Sequence, residues 1–127
     1  MSYSNPVFLP LAFGNHDFGA GDEAFTFRGP SGKKGNLKEI EINATEVFSD
    51  TTLEGKIELG SSAAAADYAA FGLGTTADGA TARATDTDGD IVSQALPADT
   101  DIHVTYSAPT GGTPTGKAYV EVMVEWY

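Results

Sequence analysis

The chain contains no cysteine. Disulfides and thiolate-bound metals are therefore excluded as staples, and the redox compartment is left undetermined. Stability has to come from packing or from oligomerisation. Basic residues are scarce too, with 7 Lys and Arg against 18 Asp and Glu and a formal net charge of −11. Such a chain repels phosphate backbones and anionic lipid, so neither nucleic acid nor a membrane is expected as a partner. The N-terminal stretch MSYSNPVFLPLAFGN has no basic leader and is broken by Pro6 and Pro10, so it reads neither as a signal peptide nor as a membrane span. The expectation is a protein made and kept in the cytoplasm, or released by lysis, in which the Asn43-Ala44-Thr45 sequon has no role.

The 127 residues, 41% of them hydrophobic, suit one domain with one core. Residues 1–21 space Tyr3, Phe8, Phe13 and Phe18 among Pro6, Pro10, Gly14 and Gly19, which predicts an extended N-terminal arm that covers its own core or reaches a neighbour. Residues 22–127 form the domain itself. There, short runs alternate between apolar and polar residues: Phe25 and Phe27; Ile40 and Ile42; Leu53, Ile57 and Leu59; Ile102, Val104 and Tyr106; and Ala118, Val120, Val122, Val124 and Trp126. Period two repeated this often marks half-buried antiparallel strands, and the turn-rich spacing predicts a β-sandwich or barrel of roughly six to eight strands. Asp78-Gly79 and Asp88-Gly89 are hairpin-turn dipeptides. SSAAAADYAAF, residues 61–71, predicts one short alanine-rich helix ending at Gly72.

Four patterns look like chemistry. Gly14-Asn15-His16-Asp17 matches the GNHD turn of calcineurin-like metallophosphoesterases, and Asp101-Ile102-His103 matches their Asp-x-His motif. A two-metal site needs several His and Asp ligands, because each metal takes about five or six and the pair sits roughly 4 Å apart. This chain has two histidines, its motifs stand in inverted order, and the remaining motifs are missing. His103 instead reads as a solvent-facing strand residue. GGTPTGKA, residues 111–118, fits part of a phosphate-binding loop, but Ala118 stands where the hydroxyl residue belongs and a strand follows where a helix is required. TDTDGD, residues 85–90, fails the spacing of an EF-hand. It reads as a charged hairpin turn, with a weak calcium site of Asp86, Asp88 and Asp90 left open. Carboxylate pairs are too numerous to single out a glycosidase site, and there is no Cys or Gly-x-Ser-x-Gly nucleophile.

The segment GPSGKKGNLKEIEINATEVFSDTTLEGKIELG, followed by ADYAAFGLG and then LPADTDIHVTYSAPTGGTPTGKAYVEVMVEWY, resembles small proteins encoded near the major capsid protein of tailed bacteriophages, which look like capsid decoration, or cement, proteins. The resemblance covers roughly residues 28 to 127 and lies in the pattern of strands and loops, above all in ADT before a strand and PTGGTPTG before a terminal aromatic strand. It implies an all-β fold, an antiparallel β-sandwich with the jelly roll as one candidate form. It also implies a homotrimer on the outer capsid surface, with the major capsid protein as partner, and neither catalytic residues nor a cofactor. The expected function is a structural virion protein, and the alternative is a carbohydrate-binding or tail-fibre-type module on the same architecture. Val7, Phe8, Leu9, Leu11 and Phe13 are the expected contacts between protomers or to the capsid, with coverage of their own sandwich as the other reading. Trp126 is expected in the core.

Overall fold

A computed structural model describes residues 7–49, 52–85 and 87–127. The strands are β1 (Val7–Asp17), β2 (Glu23–Phe27), β3 (Gly35–Ser49), β4 (Lys56–Gly60), β5 (Ala69–Gly72), β6 (Thr81–Thr85), β7 (Ala95–Leu96), β8 (Ile102–Ser107) and β9 (Thr115–Trp126). All their pairings are antiparallel. One sheet, here sheet A, has the order β1-β9-β3-β6, with β7 also paired to β3; the other, sheet B, has the order β2-β8-β4-β5. The two pack face to face as an all-β sandwich, as the alternation predicts.

Both inner faces obey period two. Ala118, Val120, Val122, Val124 and Trp126 of β9 are buried, and opposite them lie Ile57 and Leu59 of β4 and Ile102, Val104 and Tyr106 of β8. β3 runs for 15 residues, longer than its sequence pattern announces, because shifts between Leu37/Glu39, Ala44/Glu46 and Glu46/Ser49 interrupt the alternation. Each bulge inserts an extra residue and restores the apolar side to the core, so Leu37, Ile40, Ile42, Ala44 and Phe48 are all buried. The Trp126 indole packs against bare backbone: a Cβ on Gly35 would meet its ring at 2.8 Å, and one on Gly29 would overlap it.

From Val7 onward the segment expected as an extended arm lies along its own sandwich. It is the edge strand of sheet A, paired with β9 from Val7↔Trp126 to Asp17↔Lys117. Pro10 is compatible with this place because an edge strand needs only half of its N–H groups for the ladder. Met1–Pro6 lie outside the described residues.

Two other expectations differ from the structure. The predicted helix at 61–71 is absent: Ser61–Asp67 is a loop and Ala69–Gly72 is β5. The Asp67 carboxylate accepts a bond from the Ser61 amide at 2.8 Å, closing this loop, while Tyr68, Ala69 and Phe71 are buried. Burial on a period of two overrides the helical preference of alanine. Leu53, grouped with Ile57 and Leu59 by sequence, stands 60% exposed, because the strand starts only at Lys56 and Leu53 makes an isolated bridge to Thr110.

Candidate interaction face

The outer face of sheet A is built from the register of four strands. Across it, Phe8 stands beside Glu125 and Asn36; Pro10 beside Met123, Glu39 and Thr85; Ala12 beside Glu121, Glu41 and Arg83; Asn15 beside Tyr119, Asn43 and Thr81; and Asp17 beside Lys117 and Glu46. The result is a surface that is apolar along β1 from Phe8 to Ala12 and acidic along β9 and β3. Phe8 is 56% exposed and Tyr119 54%. Tyr127, 44% exposed, follows β9 at its end.

Charge on this face is unevenly matched. Arg83 Nε lies 3.0 Å from Glu39 Oε1 and 3.1 Å from Glu41 Oε2, so one guanidinium serves both carboxylates. Lys117 Nζ sits 3.8 Å from Glu46 and 4.0 Å from Asp17. Lys38 is extruded by the bulge beside Glu39. Glu121 and Glu125 make no ion pair among the described residues, although Asn36 Nδ2 donates to Glu125 Oε1 at 3.4 Å. Glu41 and Glu121 stand directly opposite each other, a like-charge pairing that disfavours the sheet. Burial pushes the Glu39 carboxyl above its ordinary range; Arg83 pulls it down, and Glu41 and Glu121 push it further up.

The expected contact residues divide by side of the strand. Leu9, Leu11 and Phe13 are half-buried against the core, whereas Phe8 points outward. Val7 pairs with Trp126 through its backbone. Phe13 packs edge-on against Phe25, ring centroids 5.0 Å apart, and against Phe27 at 5.7 Å, sealing the seam between β1 of sheet A and β2 of sheet B.

The GNHD motif belongs to that seam. The shift between Ala12 and Gly14, with Gly14 at φ +85°, is a bulge. It lets Phe13 and His16, three residues apart, face the same side. His16 Nδ1 lies 2.9 Å from Glu23 Oε2, and Nε2 lies 3.3 Å from the Gly21 carbonyl oxygen. Its ring packs on Phe18 at 4.6 Å and on Tyr106 at 4.9 Å. The Tyr106 hydroxyl is buried without a hydrogen-bond partner among the described residues, and burial first, then the Glu23 charge, raises its pKa.

The remaining motifs are dispersed. His103 lies on the outer face of sheet B, half-buried between Thr26 and Gly60, in a shallow depression of about 150 Å³ lined also by Ala24, Ala63 and Thr105. Of GGTPTGKA, residues 111–114 form a loop and residues 115–118 are already the start of β9. Asp86 lies outside the described residues; Asp88 accepts bonds from the amides of Thr85 at 2.8 Å and Asp90 at 3.1 Å, which hold its carboxyl below the usual range. Those lone pairs brace the turn. Among the described residues, no group of three or more His, Asp and Glu side chains is placed to hold a metal ion.

No family model matches this chain, and no curated protein or solved structure does either.

Proposed function

We propose that this chain is a structural virion protein that binds the outside of an icosahedral phage head and stabilises it by bridging neighbouring capsomers. In this reading it acts as a homotrimer, its partner is the major capsid protein, and it performs no catalysis. The single observation that carries the reading is the strand order. With β7 set aside, we read β1-β9-β3-β6 against β2-β8-β4-β5 as the order of a jelly roll, because the chain passes repeatedly between the two sheets. Viral capsid proteins and lectins are both built this way. The inference from strand order to role is an analogy of fold, and the sequence resemblance gives it direction. A face on which Phe8 and Tyr119 stand exposed supports a protein contact over a small-molecule site, since exposed aromatic residues anchor protein interfaces.

The mechanism is mass-action linkage. A copy that binds only the assembled lattice favours that lattice over free subunits, and three linked copies multiply weak contacts through effective concentration. Light scattering on the purified protein should give the mass of a trimer; a clean monomer overturns the trimeric reading. Heads purified from a phage lacking this gene should take up the protein stoichiometrically and then withstand higher temperature. Binding to a glycan array without binding to heads replaces this reading with that of a carbohydrate-binding module.

A further inference from the structure

We infer that the outer face of sheet A is the surface that docks on the partner, and that the partner presents Arg or Lys side chains around an apolar recess for Phe8. The inference rests on the proposed binding to phage heads and adds which face is used and what chemistry it meets. Three features of this face point the same way.

First, the carboxylates of Glu39, Glu41, Glu121 and Glu125 stand in successive rows on adjacent strands, and Arg83 reaches only Glu39 and Glu41. Second, Glu41 and Glu121 oppose each other directly, which weakens the free protein. A guanidinium or ammonium group placed between them from outside removes that repulsion, so the face becomes more favourable when covered by a basic surface. Third, Phe8, Pro10, Ala12 and Met123 form an apolar strip along the same acidic rows, and Phe8 and Tyr119 stand more than half exposed. Aromatic anchors flanked by charge describe a protein interface. A phosphate backbone or anionic lipid surface is repelled by these rows.

Sheet B presents a different outer face. Rows such as Ala24, Thr105, Glu58 and Ala70 are made of small residues with a single carboxylate. Its electrostatic complement is weak.

The test measures binding to heads purified from a phage lacking this gene. Wild-type affinity should fall at least tenfold between roughly 50 and 500 mM salt, as expected when charge complementarity drives association. The double variant E121K/E125K should bind at least tenfold more weakly. It should also melt at or above the wild-type temperature, because the first substitution replaces the like-charge pairing with Glu41 by an attractive one. A face with a purely structural role moves stability and affinity together, so this opposite movement is diagnostic. The milder E121Q/E125Q should lose about threefold in affinity and F8A about tenfold, whereas E58K on sheet B should bind as wild type. Wild-type binding that is indifferent to salt and unchanged in E121K/E125K overturns the inference and leaves the proposed function standing. Absence of wild-type binding to heads overturns both.

Discussion

Gly29 and Trp126 are in such close contact that a Cβ on Gly29 would clash with the indole ring. Trp126 is the last residue of β9 and 1% exposed, so the turn before β3 closes the end of the sandwich by laying glycine backbone over it. Gly29→Ala should therefore destabilise the protein by about 1–3 kcal/mol through overpacking. Urea unfolding measures this, and the near-ultraviolet dichroism of the only Trp reports the displaced ring. A variant with the wild-type midpoint and spectrum would show that the ring is not confined there.

How far the sequence discloses this fold depends on where period two survives. In β9, five inward residues alternate without a break from Ala118 to Trp126, and both the strand and its buried face are legible. In β3 only the central Ile40 and Ile42 betray it, because each bulge shifts the pattern by one residue and no local signal marks a bulge made without glycine. β1 reads as an arm because Pro10 and Gly14 are turn formers by composition; an edge position accommodates the first and a bulge needs the second. The carboxylates of Glu121 and Glu125 are visible as alternation in β9. That Glu41 and Asn36 are their neighbours follows from pairing across 80 and 89 residues, which no local pattern encodes.

Phe8 and Phe13 provide a direct test of the β1 register. Phe13 packs between Phe25 and Phe27 at the seam, whereas Phe8 faces out beside Glu125. Phe13→Ala should lose about 2–4 kcal/mol of stability, somewhat less than a fully buried Phe, and Phe8→Ala should stay within about 0.5 kcal/mol of wild type. Denaturant titrations of the two variants decide it. Equal losses would mean that β1 pairs in another register.

His16 is expected to act as a brace between the sheets. Its ring spans from β1 to Glu23 of β2, with Phe18 and Tyr106 against its faces. His16→Ala should destabilise by about 1–2 kcal/mol, and a cycle with Glu23→Ala should give a coupling of roughly 0.5–1 kcal/mol, because Glu23 is half exposed and its interaction is screened. Additive losses would show that the 2.9 Å contact carries no energy of its own.

Glu39 sets the sign of one pH effect. Its carboxyl is raised above the ordinary value of 4.5 by burial, then by Glu41 and Glu121, with Arg83 opposing. The folded state thus holds this proton more tightly than the unfolded chain. Stability from this residue is greatest when it is neutral, falls as pH climbs from the ordinary value through the raised one, and stays lower above it. Glu39→Gln keeps the shape and removes the titration, while Arg83 retains Glu41. Relative to wild type, the variant should gain stability as pH climbs from the ordinary value through the raised one and then keep a constant advantage, and the two should converge at lower pH. Urea midpoints across that range measure the difference. Parallel profiles would mean that ionised Glu39 is as well accommodated in the sheet as in the unfolded chain, and that the acidic rows on this face carry no strain for a partner to relieve.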